Sequence, residues 1–398
     1  MKFASAVTHA ADPTAAAREL GVNLRAALGP ARADLALVFA SVDYASEAEA
    51  LAAALEREMG ARTLLGCTAE GVITSGREIE RERAVSVIAA RLPEVELAPF
   101  AIVREDLEAI ARDAAALAGV VDAPADARAF ILLGDPLTAP MDALLGAFNG
   151  IFAGVPVIGG MASGARGPGV AALFAGARVY REGAVGVAMA GALAVDTIVS
   201  QGCRPVGLVF TITRAHANVI ESLEGGSPLE CINALVDDLD DDERGLLTGG
   251  LFVGRAVDSS KDALGRGDFL VRGVVGVDPE SGAIAVGDMV KAGERVQFHV
   301  RDAATAREDL EMMLTPHAFF GEPAGALLFS CNGRGTRLYD HPDGDVTAIQ
   351  EFWSDLAVAG FFCAGEIGPI GGRNFLHGHT ASIALIRPRG KQVGAPPE

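Results

Sequence analysis

Cys331, Asn332, Gly333, Arg334 and Gly335 follow directly on an apolar stretch at 326–329, so a thiol, an amide and a guanidinium stand together at the end of an expected strand. Glycine-flanked amides can turn inward as a nest for an anion, and the arginine adds a bidentate grip on a carboxylate or phosphate. Pairing of Arg334 with an Asp or Glu of the fold is the alternative. Neither the GxxxxGK[ST] nor the GxGxxG spacing is present, which excludes the usual nucleotide loops. Some thirty residues on, segment 360–385 holds six glycines, Pro369, Cys363, Glu366, His377 and His379 between two apolar runs. Such glycine density belongs where a chain turns sharply or something approaches its backbone. Glu366, between Gly365 and Gly368, is expected at the mouth of a sheet. With Arg334 it has the polarity to bracket a zwitterion such as an amino acid; the two can equally bridge each other. His377 and His379 are two apart and share one face of a strand, where with Asn374 they can hydrogen-bond the glycine loop or a ligand. Cys331 is the weak candidate for a nucleophile, with His341, His377 or His379 as its base. A metal needs three or four ligands in fixed geometry, which this spacing does not supply, so neither metal nor cofactor is expected.

The elements that must position these groups read as an α/β protein, in which short apolar or alternating runs interleave with segments of helical period. The order strand-helix-strand-helix-strand-strand recurs three times. The first copy takes strands at 3–7, 35–40, 63–65 and 84–90, with helices at 13–28 and 46–59. The second takes strands at 97–103, 129–133, 155–158, 170–180 and 184–190, with helices at 105–120 and 141–152. The third is read from a strand at 295–300 through a helix at 304–314, a strand at 325–329 and a helix at 345–356 into Phe361, Phe362 and Cys363. Between the second and third lie further strands and one helix at 228–239, which opens on Ser227 and Pro228. Each copy runs into a glycine-flanked loop. The first has Gly66, Cys67, Thr68, Ala69, Glu70 and Gly71, and the second has Gly159, Gly160, Met161, Ala162, Ser163 and Gly164. Loops beyond strand C-terminal ends are where α/β sheets place ligands, which adds Cys67, Thr68, Gly159, Gly160, Ser163 and Gly368 to the candidates.

The 398 residues carry a net charge of −19, which opposes nonspecific binding to nucleic acid or an anionic membrane. Five widely spaced cysteines without a CxxC pair argue against a disulfide framework and for a reducing compartment. No apolar run reaches the ~18–20 residues of a membrane helix, and the first twenty residues lack a signal-peptide core. A cytoplasmic location without direct membrane insertion is therefore expected.

The segments SCNGRG at 330–335, GEIGP at 365–369 and NFLHGHT at 374–380 stand in the order found in the FIST family, which this chain resembles over its last ~60 residues. The loop at 159–163 is similar to that family's GGxAS segment, and the loop at 66–71 resembles its N-terminal GCSTAGEI-like segment with Glu70 one position early. The resemblance implies a FIST N-like part at 1–210 and a FIST C-like part at 211–387, while the residues at 388–398 read as a disordered tail. It also implies a sensory, small-ligand-binding protein of signal transduction. With no kinase, receiver or cyclase segment in the sequence, the output is expected on a separate signalling chain. Two rivals stay open beside the binding reading: a thiol-dependent enzyme using Cys331 with a histidine, and a ligand-free interaction scaffold.

Overall fold

The computed structural model describes residues 1–389. The chain runs β1 (Lys2–Thr8), α1 (Pro13–Leu28), β2 (Leu35–Ser41), α2 (Ala48–Met59), β3 (Thr63–Ala69), β4 (Gly71–Thr74), β5 (Arg77–Glu80) and β6 (Val85–Arg91). It continues through β7 (Val95–Ile102), α3 (Arg104–Arg112), α4 (Ala116–Val121), β8 (Ala127–Gly134), α5 (Met141–Ile151), β9 (Val157–Met161), β10 (Leu173–Ala175), β11 (Arg178–Tyr180), β12 (Ala184–Gly191) and β13 (Leu193–Gln201). Then come β14 (Cys203–His216), β15 (Val219–Leu223), α6 (Pro228–Asp238), α7 (Asp241–Leu246), β16 (Leu251–Ala256), β17 (Phe269–Val277), β18 (Ile284–Val286) and β19 (Arg295–Arg301). The last elements are α8 (Ala303–Ala318), β20 (Gly325–Cys331), α9 (Gly344–Phe352), β21 (Val358–Cys363), β22 (Glu366–Ile370), β23 (Arg373–His377) and β24 (Thr380–Pro388).

Local chemistry accounts for the best-defined elements. Asp12 caps α1 by accepting from the Ala15 amide at 2.8 Å, Pro13 occupies the first turn, and Gly29 closes the helix with φ 88°. Ala16, Ala17, Leu20, Leu24 and Leu28 form its buried stripe. The central strands β2, β3, β20 and β21 are buried along their whole length, which is why they read as continuous apolar runs rather than alternating ones.

Two compact units result. The first comprises Met1–Val199, Glu311–Leu376 and the described residues from Ala381 onward. The second comprises Ser200–Leu310 with His377–Thr380. The first unit contains three sheets of one order: β1-β6-β2-β3-β10-β11, β7-β12-β8-β9-β22-β23 and β13-β24-β20-β21-β4-β5. At the middle of each lies a parallel pair, β2 with β3, β8 with β9 and β20 with β21. The outer two strands of each sheet are a hairpin taken from another copy, so β4-β5 completes the third sheet, β10-β11 the first and β22-β23 the second. One core draws on all three inner faces, with Phe39, Leu133, Phe329 and Phe361 among its members. The rings of Phe39, Phe329 and Phe361 meet at centroid distances of 5.2–6.2 Å. Helices α1 and α2 cover the outer face of the first sheet, and α3, α4 and α5 that of the second.

Three expectations change. The first strand of the third copy is β13, not 295–300; the latter is β19 and closes a barrel of order β14-β15-β18-β17-β16-β19 in the second unit. The expected single strand at 170–180 is the β10-β11 hairpin, turned at Gly176 with φ 59°. Pro388, expected in a disordered tail, ends β24, and the Arg389 amide donates to the Ala192 carbonyl at 3.1 Å; the rest of that expected tail lies outside the described residues. Among the described residues no helix is long and apolar enough to cross a membrane.

Gly66, Gly159 and Gly360 occupy the second strand of each parallel pair. A Cβ there would stand 2.0, 1.9 and 1.7 Å from the carbonyl oxygens of their register partners Val38, Leu132 and Leu328. Gly360→Ala must push backbone apart and is expected to cost about 3 kcal/mol or more in urea unfolding. Gly146→Ala, in α5 with open space around it, is expected to stabilise by about 0.5–1 kcal/mol. Equal effects from the two would refute the packing account.

Candidate functional site

In the first unit, the loops after β3, β9, β20 and β21 come together. Ser163 joins two of them to the third copy. Its Oγ accepts from the Glu70 amide at 2.8 Å and donates to the Phe362 carbonyl. Thr68 is buried, with Oγ1 accepting from the Ala172 amide at 2.9 Å and its carbonyl accepting from the Ser163 amide at 3.4 Å. Gly160 pairs with Glu366 across β9 and β22, and a Cβ on it would lie 2.4 Å from the Cys363 Sγ. Gly159 has the packing role given above. Cys331 and Cys363 are themselves register partners on β20 and β21.

Burial sorts the expected site residues. Glu366 is fully buried, and Cys331 is only 7% exposed. Cys67 belongs to the central core, where burial raises its thiol pKa well above the ordinary range. The amides expected to form an anion nest have protein acceptors: Asn332 donates to the Cys363 carbonyl at 2.9 Å, Arg334 to the Cys331 carbonyl at 2.8 Å and Gly333 to the Cys331 Sγ at 3.4 Å. Gly335, at φ 57°, turns the chain where a Cβ would meet the Glu80 carboxylate at 2.5 Å. Gly368 is a packing glycine, since a Cβ would lie 2.6 Å from Val199 and 2.7 Å from the Ser382 Oγ.

Arg334 meets Asp345 rather than Glu366 in a buried bidentate pair. Its Nε and Nη2 donate to the two Asp345 oxygens at 2.8 and 2.6 Å, and Nη2 also reaches the Tyr339 hydroxyl at 2.8 Å. Ser330 and Tyr339 each donate to Asp345, at 2.7 and 2.8 Å. Glu78 of β5 completes the cluster by accepting from the Asp345 and Val346 amides at 2.8 Å each, so it caps the start of α9. The exposed charge of this loop is Arg337, which donates to the Asn332 carbonyl at 2.5 Å and pairs with Glu70, at side-chain exposures of 40% and 31%. Sequence reading passed over Arg337; its signal was a second arginine three positions after Arg334 in the same loop.

Asn374 departs from this convergence. Its side chain accepts from the Val157 amide at 2.8 Å and donates to Asn149 and the Val155 carbonyl, which ties β23 to the beginning of β9 rather than its end. His377 and His379 belong to the second unit. There His377 is buried, and the His379 ring packs edge-on to Phe252 at 4.4 Å. Among the described residues no three His, Cys, Asp or Glu side chains are grouped as a metal site would require.

Comparison with known proteins adds the family. The FIST N domain matches residues 34–226 and the FIST C domain residues 228–369. The chain belongs to the FIST family. FIST domains are associated with sensory signal transduction and small-ligand binding. Among its relatives, an uncharacterized protein of Mycobacterium tuberculosis (strain H37Rv) is 38% identical over 388 residues, covering 97% of this chain and 100% of the relative. An uncharacterized protein of Mycobacterium bovis is also 38% identical over 388 residues, covering 97% of this chain and 99% of the relative.

Electrostatics divides the polar groups of this FIST protein into a buried frame and an exposed rim. Burial alone would raise Asp345, but the Arg334 guanidinium overrides it and holds the carboxyl below its usual value. Burial, with Asp345 adding repulsion, pushes Glu78 up to about 8. Removing Arg334 strands a buried charge, so Arg334→Ala is expected to cost about 3–5 kcal/mol. Arg337→Ala, at the rim, is expected to cost less than about 1 kcal/mol. Chemical denaturation of both variants checks this, and a mild Arg334→Ala would refute the framing role.

Because the folded pKa of Glu78 lies above its unfolded value near 4.5, its contribution is fully present below that value and is lost as pH rises through about 8. Unfolding free energy is expected to fall between pH 5 and 8.5 more steeply in the wild type than in Glu78→Gln, which keeps the cap but does not titrate. Parallel curves for the two proteins would exclude Glu78 as the titrating group.

Proposed function

We propose that this FIST protein is a cytoplasmic sensor that binds a small polar molecule, an amino acid or related carboxylate, at the loops beyond its strand ends. Occupancy is passed to a signalling protein on a separate chain. The observation that carries the reading is the convergence of the Cys331, Glu70 and Ser163 loops on a rim where Arg337 and Glu70 stand together as a half-exposed pair of opposite charge. A zwitterion offers the same two charges: its carboxylate replaces Glu70 at the guanidinium, and its ammonium replaces Arg337 at the carboxylate. Surface pairs of this kind contribute ~1 kcal/mol or less, so the exchange sacrifices little. The Arg334–Asp345 pair then serves as the fixed frame that holds the Asn332–Arg337 loop in place.

A ligand at ~100 times its Kd adds roughly 2.7 kcal/mol to the stability of the folded state, which is readily seen as a raised Tm. Amino acids and small carboxylates are expected to give such a shift. Arg337→Ala should abolish it for every carboxylate, and Glu70→Gln should weaken amines selectively. A metabolite panel in which only neutral compounds stabilise the protein rejects this ligand class.

A further inference from the structure

The second unit carries a cavity of its own, of about 620 Å³, between β14 and α6. Its walls are apolar, with Val206, Phe210, Leu235 and Phe298 prominent among them. One wall is a bulge, because the pairing of β14 with β19 shifts between Val206 and Val209. At the bulge Gly207 has φ 65°, and a Cβ on it would approach the Leu235 Cδ1 to 2.8 Å. The bulge leaves Leu208 74% exposed at the cavity, an apolar side chain in water that a ligand would cover. Three carboxylates, Glu230, Asp238 and Glu243, lie among the lining residues. Arg204 pairs with Glu243 at 3.2 Å, which leaves the charges of Glu230 and Asp238 to set the sign of the mouth.

We propose that this cavity is a second binding site, for a small amphiphilic cation: an apolar chain or ring bearing one amine. The volume is that of a small-molecule pocket, where apolar walls supply affinity and a few polar groups fix orientation. The net charge of −19 adds to the attraction for a cation and disfavours an anion of the same shape. The site lies wholly within the second unit, so it is separate from the strand-end rim and stands or falls independently of the ligand proposed there.

Cys231 lines the cavity and is the one cysteine of the five that is partly exposed rather than buried, so its alkylation reports occupancy. The intact chain is treated with N-ethylmaleimide alone or with octylamine, octanol or octanoate, and labelling is followed by peptide mass mapping. Octylamine is expected to slow Cys231 labelling at least fivefold and to raise Tm, octanol to act at higher concentration, and octanoate to have no effect. Glu230→Gln with Asp238→Asn should weaken octylamine about tenfold and leave octanol unchanged. Ala234→Phe, which fills the cavity, should abolish protection by octylamine; Leu208→Asn, at an exposed position, tests the same wall without added bulk or charge and should weaken both octylamine and octanol. Equal protection by all three probes, no protection by any, or full protection by octylamine in Leu208→Asn overturns the proposal.

Discussion

The carboxylate of Asp345 accepts from Arg334 twice and from Tyr339 and Ser330 once each, entirely out of water. Four donors on one buried carboxylate satisfy a charge that would otherwise be untenable there. They also connect β20, the loop after it and the start of α9. Glu78 brings the β4-β5 hairpin to the same point through the two amides of the helix start. A strand end, a loop, a helix and a hairpin from a distant stretch of chain thus share one polar centre. The half-exposed rim of Arg337 and Glu70 depends on that centre because its loop has no other comparably buried anchor among its own side chains.

Much of this architecture was legible in advance. The α/β alternation, the recurrence of its element order and the glycine-flanked loops at 66–71 and 159–164 all correspond to elements of the fold. The third copy was misread at its start because β19 has the same short apolar character as β13, and linear order favours the nearer strand. Only the closure of the barrel, which inserts about a hundred residues after β13, reveals which of them belongs to the sheet. The β4-β5 hairpin escaped notice because its strands are four residues long and charged at the second.

The site was legible as a neighbourhood and not as a set of contacts. Periodicity placed Cys331 and Glu366 at strand ends, but it carries no information on how deeply a side chain is buried. Arg334 therefore stood as a ligand candidate until Asp345, eleven residues on and across a turn, supplied its partner. Asn374 illustrates a second limit. Its position in sequence, just beyond Glu366, suggested the same mouth, yet β23 runs back along the sheet and places it beside Val157 at the other end of β9.

The exchange of hairpins among the three sheets bears on how the chain is made. The β4-β5 hairpin ends at Glu80, and its partner strand β21 begins at Val358, so the two are separated by nearly three hundred residues of synthesis. At ~5–20 residues per second, the ribosome leaves that hairpin without its sheet for roughly 10–60 seconds. An unpaired strand edge is a template for wrong pairing. Glu78, on the same hairpin, meets its α9 amides only at the end of that interval. Maturation of the first unit is thereby a late, non-local event, set by the emergence of the C-terminal strands rather than by the earlier growth of the N-terminal ones.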